Sequence, residues 1–293
     1  MPRYLICNAD DFGIGRRITD AILDCHKSGI ITSTTLMANM PAAEYACRRA
    51  REYPELGIGL HLNLTAYRPL SPPEQVKDLV DETGNFLSSS LQVKNLWRGR
   101  HLAEQVEKEY SAQIEKALEL GIQPTHFDGH HGIQKRPLAR KALIKLAQKY
   151  HIPAARTQRG FYWTAPNAAF SLKLMRRHRN LRAGPRIFMR YWNHCQLRRG
   201  NLLTPERTVN PSLLLPCCAE PKQKLLNCIA AIPEGISELV FHPGYPDPDV
   251  NDTLKFAEVR KTEAKLSCDP DIIAALKDNG IQLITFKDIG NLS

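Results

Sequence analysis

Short apolar runs alternate with amphipathic stretches from one end of the chain to the other. Tyr4–Cys7 reads as a strand, and the spacing of Ile18, Ala21, Ile22 and Cys25 predicts a helix from about Arg16 to Ser28. The pattern continues with a strand at Ser33–Met37, a helix at Ala42–Glu52, and a strand at Gly57–Leu64 that is apolar except for His61 and Asn63. A looser stretch rich in proline and serine runs from Arg68 to Gly99. Beyond it, a helix is predicted at Leu102–Leu120, a strand at Thr125–Asp128, and a helix at Pro137–Tyr150 with proline at a tolerated early position. The alternation lapses over about Thr157–Thr208, which reads as an insertion. It returns with helix Lys222–Ala231, strand Leu239–Phe241, helices Thr253–Leu266 and Pro270–Asn279, and strand Gln282–Phe286. Gly280 stands where a helix-ending residue is expected.

Repeated strand–helix units build a parallel sheet covered by helices, either a barrel or an open doubly wound sheet. No G-x-G-x-x-G or P-loop pattern is present, which counts against a nucleotide-binding sheet. With no internal repeat and no low-complexity linker, residues 1–293 are expected to form a single α/β domain carrying an insertion at about 157–208.

Composition adds two points. The first apolar run is only four residues long, too short for a signal peptide (roughly 7–15 residues) or a membrane span (about 20). The eight cysteines include no C-x-x-C pair, and adjacent Cys217 and Cys218 suit a disulfide poorly. Reduced thiols and a cytoplasmic location are therefore expected, with Cys7 and Cys25 in the core. The net charge of +10 is concentrated: between Asp128 and Glu206 lie 17 Lys and Arg and no acidic residue, whereas the remainder holds 23 basic and 30 acidic residues. A basic surface spread over the whole molecule, as for a general nucleic-acid binder, does not fit that distribution.

Four polar clusters fall at the ends of predicted strands: Asn8-Ala9-Asp10-Asp11-Phe12-Gly13, Gly59-Leu60-His61-Leu62-Asn63, Thr125 to Gly132 with His126, Asp128, His130 and His131, and Phe241-His242-Pro243-Gly244-Tyr245. Five of the ten histidines lie in them. Singly, each has a plain reading: a turn or helix cap for Asp10-Asp11, a buried hydrogen-bonded side chain for His61, a tight turn for His242-Pro243-Gly244. Together they point to one pocket, because the strand ends of a parallel barrel open onto a single face. One carboxylate with two imidazoles forms an open metal site, and a bound ion would acidify water and polarise a carbonyl, as amide hydrolysis requires. The other carboxylate of the Asp10-Asp11 pair could act as general base, and a histidine from another strand as the acid.

These four ordered motifs resemble the YdjC-like carbohydrate deacetylases, a family that includes chitooligosaccharide and hopanoid-biosynthesis-associated deacetylases. The similarity runs from Tyr4 to about Phe286, interrupted mainly by the basic stretch. The resemblance implies a (β/α) barrel of the glycoside hydrolase/deacetylase type and a substrate that is an N-acetylated sugar. It implies a divalent ion held by Asp11, His61 and His130, with Asp10 as base and His242 as acid. Arg260 also matches a family position, expected to orient a carboxylate, and His126, Asp128, Tyr245 and Arg260 are expected around the substrate. Family descriptions assign magnesium, whereas two imidazoles and a carboxylate suit zinc or another transition ion equally well. The family's third motif often continues with histidines where this chain has Gly132 and Gln134, a departure that touches the sugar subsite or the choice of metal.

A glycosidase built on Asp10 with Asp11 or Asp128 would leave the histidines without a task. A catalytically silent sugar-binding module would hold the ligand without releasing acetate. Nucleic acid is not an expected partner, and the oligomeric state is left open. Within the acid-free window, Ser171–Arg182 reads as a short helix, and Ile187–Trp192 mixes bulky apolar residues with arginine before Arg198-Arg199. The segment 171–199 would suit an anionic or lipid-linked substrate or a membrane surface; its plain alternative is a solvated insertion paired with acidic parts of the fold.

Overall fold

The computed structural model describes residues 2–157, 183–209, 220–250 and 254–292. Strands β1 (Arg3–Phe12), β2 (Ser33–Leu36), β3 (Gly57–Leu62), β4 (His126–Gly129), β5 (Ala154–Ala155), β6 (Arg207–Val209), β7 (Gly235–Phe241) and β8 (Ile281–Leu283) form one parallel sheet. The order across it is β5-β4-β3-β2-β1-β7-β6, with β8 beside the first residues of β1. The sheet curls: the backbone of Leu203 exchanges hydrogen bonds with Pro153 and Ala155 at 2.9 Å, and four residues later the same segment becomes β6 against β7. Both margins of the sheet thus meet one stretch of chain, giving the barrel-like α/β architecture expected.

Helices follow the strands and cover the outside: α1 (Arg16–Ser28), α2 (Ala43–Ala50), α3 (Ser89–Arg98), α4 (Ala103–Glu119), α5 (Pro137–Lys149), α6 (Ala183–Arg199), α7 (Pro221–Ala230), α8 (Leu254–Ser267), α9 (Pro270–Asp278) and α10 (Ile289–Leu292). The start of α9 shows how local chemistry fixes an end: the Asp269 carboxylate accepts the Asp271 N–H, and Pro270 occupies a first-turn position where no N–H is needed. Most boundaries agree with the sequence reading to within a few residues. The Pro/Ser-rich stretch expected to be irregular contains α3. Of the expected insertion, residues 183–209 supply α6 and β6, while the helix expected over Ser171–Arg182 lies outside the described residues.

The strand period of two separates two interiors. On β1, Leu5, Cys7 and Ala9 pack into the large core under the helices, whereas Ile6 joins Ala154, Ile236, Ile284, Phe286 and Ile289 in a small cluster inside the curl. Continuing along that inner side, Asn8 and Asp10 replace the apolar residues. An inner layer therefore turns from greasy to polar along the strand, toward the end that carries the site. Gly59 of β3 makes room for one inner side chain, since a Cβ there would stand 2.5 Å from the His126 ring. Cys7 and Cys25 are buried free thiols, as expected. Among the described residues, no helix is long and apolar enough to cross a membrane.

Candidate active site

In a regular strand, neighbouring side chains point to opposite faces, yet Asp10 and Asp11 both reach the inner site. The register of β1 against β2 shifts between Ala9 and Phe12, and Asp11 adopts a left-handed backbone with φ of 70°. Aspartate tolerates that region better than most residues, but it is uncommon, and here it turns two adjacent carboxylates inward.

Asp11 is buried. Its Oδ2 accepts a hydrogen bond from Arg260 Nη2 at 2.7 Å. Its Oδ1 has no hydrogen-bond partner and stands 3.2 Å from His130 Nδ1 and 3.5 Å from His61 Nε2. Burial alone would raise this carboxyl; the Arg260 guanidinium, then His130 and His242, hold it well below the ordinary range. One ligand atom from each of Asp11, His61 and His130 lies within 4.8 Å of the other two. An orphaned buried carboxylate oxygen facing two imidazole nitrogens fits a divalent cation.

Behind His61, Asp128 Oδ1 lies 2.6 Å from Nδ1, the arrangement that turns the other ring nitrogen toward a metal. Thr35 Oγ1 donates to Asp128 Oδ2 at 3.2 Å. Against the effect of burial, Asp128, Asp10 and Asp11 push His61 up to about 9. A second triad of suitable residues, Asp10, His61 and Asp128, is also close enough to hold an ion. The first keeps an available ligand oxygen, since Asp11 Oδ1 has no hydrogen-bond partner, whereas both oxygens of Asp10 are taken by Arg156 and those of Asp128 by His61 and Arg156.

That guanidinium belongs to Arg156, which follows β5 directly. Its Nη1 and Nη2 donate to Asp10 Oδ2 and Oδ1 at 2.8 and 2.6 Å. Nη1 also lies 2.7 Å from Asp128 Oδ2, and Nε donates to Glu238 Oε1 at 2.7 Å. A fork of this shape can hold several carboxylates in fixed geometry. Burial would raise the Asp10 carboxyl, but Arg156, His61 and His242 bring it far below its usual value. Glu238 is pushed by burial up to about 7 despite Arg156 and Thr208. Two arginines thus face the buried carboxylates Asp10, Asp11, Asp128 and Glu238, an arrangement short of positive charge. Without an ion, a proton on His61 fills part of that deficit.

His242, at the end of β7, places Nε2 3.8 Å from Asp10 Oδ2. Glu263 of α8 accepts the His242 backbone N–H at 2.5 Å and has the same oxygen 3.8 Å from Nδ1. Burial works against protonation of His242, but Glu263, Asp10 and Asp11 outweigh it and raise its pKa.

The residues expected around the substrate divide. Tyr245 is 38% exposed and donates through its hydroxyl to Asp24 at 2.7 Å; with Arg260, Arg17 and Asp247 it lines a cavity of about 450 Å³. His126 and Asp128 are both wholly buried. The His126 ring stacks on Phe286 with centroids 3.6 Å apart, and its Nδ1 lies 2.8 Å from Thr125 Oγ1. Asp128 faces His61 and Arg156, so neither offers a surface to a sugar. Arg156, Glu238 and Glu263 were missed from sequence. Arg156 sits at a strand end, but on a two-residue strand next to the basic stretch; Glu238 and Glu263 carry no local motif.

The profile of the family described as YdjC-like protein matches residues 4–278. A carbohydrate deacetylase from Geobacillus stearothermophilus is 32% identical over 293 residues, covering all of both chains. Another from Clostridium beijerinckii is 32% identical over 285 residues, 97% of this chain and 99% of that one. Among solved structures, an Enterococcus faecalis protein described as a putative cellobiose-phosphate cleavage protein aligns with a TM-score of 0.75 and 26% identity, covering 98% of this chain and 99% of that one. With a profile match across nearly its whole length and full-length relatives at this identity, the chain belongs to the YdjC-like family.

Proposed function

We propose that this chain is a metal-dependent hydrolase that removes the acetyl group from an N-acetylated sugar or oligosaccharide. The observation that carries the reading is the convergence of the unpartnered Asp11 Oδ1 with His61 and His130 at the strand ends. The reaction class comes from the family and from the carbohydrate deacetylases among its relatives. Asp11, His61 and His130 would hold one divalent ion, which acidifies bound water and polarises the amide carbonyl. Ligand type favours zinc or another transition ion, and the family resemblance favours magnesium.

Asp10, which Arg156, His61 and His242 hold far below the usual carboxylate range against the effect of burial, would serve as the proton acceptor. Arg156 fixes both Asp10 oxygens and so sets the direction from which a proton arrives. His242, whose pKa Glu263 and the two aspartates raise against the effect of burial, would give its proton to the departing amine. Asp128 holds the His61 ring, and Arg260 holds Asp11. Tyr245 would face the sugar from the neighbouring cavity, which Arg260 also lines.

The test is acetate release from a panel of N-acetylated sugars, with phosphorylated disaccharides included, by metal-stripped protein given one ion at a time. Acetate that appears only on metal addition is expected. Turnover untouched by chelation would remove the metal role, and new reducing ends without acetate would favour glycoside cleavage.

A further inference from the structure

Among the described side chains of helix α6, the buried ones are Asn193, His194 and Leu197, two of them polar. Asn193 accepts from Arg140 Nη1 at 2.5 Å, and His194 Nδ1 lies 2.8 Å from Thr157 Oγ1. The outward face instead presents Phe188, Tyr191 and Trp192, which are 62%, 54% and 41% exposed. At i, i+3 and i+4 they share one stripe, with the Phe188 and Trp192 rings stacked at 6.3 Å. Arg199 lies over the Trp192 ring, 5.9 Å from its centroid. The helix holds four arginines and no acidic residue, and it sits within the window of 17 basic residues and no acid.

We infer that this face docks on an anionic lipid surface. Two observations choose that occupant. The charge is uniformly positive, so a complementary partner is anionic. The apolar area is small: the exposed parts of three aromatic side chains amount to roughly 300 Å², well short of the ~800 Å² per partner that a stable protein interface buries. A bilayer sets no such threshold, because a few inserted aromatics and a few arginines near headgroups suffice together. Tyrosine and tryptophan also favour the membrane–water boundary, where ring and polar tip are both satisfied. Docking would be felt at the site, since His194 anchors the inner face of α6 to Thr157, the residue after Arg156.

Full-length protein is tested by co-sedimentation with vesicles of phosphatidylcholine alone and of phosphatidylcholine mixed with phosphatidylglycerol, at low and physiological salt. Two variants separate the contributions: Phe188→Ser with Tyr191→Ser and Trp192→Ser, and Arg198→Gln with Arg199→Gln. The wild type should bind only the mixed vesicles, and less at higher salt. Loss of two arginines should lower partitioning about 30-fold and flatten the salt dependence. Loss of the aromatics should lower it roughly tenfold or more while leaving that dependence steep. Both variants alter exposed side chains, so thermal midpoints should not move. Absence of binding to mixed vesicles at low salt, or an aromatic variant that binds like wild type, overturns the inference. So does light scattering that finds a wild-type dimer dissolved by the aromatic substitutions, which would assign the face to a second copy of the chain.

Discussion

Asp128→Asn removes a charge from behind His61 without changing the size of the side chain, and its effect on metal affinity should depend on pH. Asp128 Oδ1 lies 2.6 Å from His61 Nδ1. Partners of this kind orient the ring and raise its basicity, and losing one typically costs about 10–100-fold in metal affinity, or about 1.4–2.7 kcal/mol. The same carboxylate is the strongest of the groups that, against burial, lift His61 to about 9 in the metal-free protein. At pH 7 an incoming ion must displace that proton, two pH units below the pKa, a handicap of about 100-fold. With asparagine in place, the proton leaves more easily and much of the handicap goes with it. The two effects oppose each other at pH 7, and only the first survives near pH 9. The ratio of the variant's Kd to the wild type's is therefore expected to be small at pH 7 and to climb toward 10–100-fold as pH rises. Competition against a chromophoric chelator across that range measures it. A ratio that stays flat with pH would refute the reasoning.

His61→Ala and His130→Ala should lose bound metal and turnover together, whereas Asp10→Asn and His242→Ala should keep the metal and lose about 10²–10⁴-fold in rate each; metal analysis beside acetate release separates the pairs. Arg156→Leu leaves three buried carboxylates without their common cation and should cost about 3–5 kcal/mol in urea unfolding, so a loss below about 1 kcal/mol would count against the network. Chelated protein should become less stable between pH 7 and pH 9. His61 binds its proton more tightly folded than unfolded, so its contribution is lost from pH 6.5 through about 9, whereas His126 and His131, both shifted downward, have already lost their protons by pH 7. The thermal midpoint at pH 9 with chelator present should lie below that at pH 7. Gly59→Ala should cost about 1–3 kcal/mol, because its Cβ would meet the His126 ring and carbonyl within 2.6 Å; unchanged unfolding would mean that His126 is free to move aside.

The alternating sheet was legible wherever strands were long enough to show apolar residues on the outer face. The apolar run Tyr4–Cys7 marked β1, although the strand extends to Phe12 because its inner positions Asn8 and Asp10 turn polar where hydropathy ends the signal. β5 and β6 hold only two and three residues, too few for any period to register. α3 hid among prolines and serines, since its buried face is mostly Gln92 and Leu96. At the site, residues carried by compact motifs, Asp10, Asp11, His61, His130 and His242, come together. The supporting residues could not be found that way. Arg156 follows a two-residue strand and Glu238 sits singly on β7, so they meet only through three-dimensional closure, and the contact of Asp128 with His61 has no sequence signature.

The bulge at Asp11 has a mechanical consequence. The proposed ligand carboxylate and the proposed base are joined by a single peptide unit, so their Cα atoms stay about 3.8 Å apart like the pivot of a caliper, and Arg156 and Arg260 set the jaws. The three histidines arrive from separate strands and loops, and their positions rest on packing and on noncovalent partners such as Asp128 behind His61. Warming or mild denaturant would loosen the imidazoles while the aspartate pair kept its spacing. Activity should then fade before the fold melts, and the first sign of fading should be weaker hold on the ion.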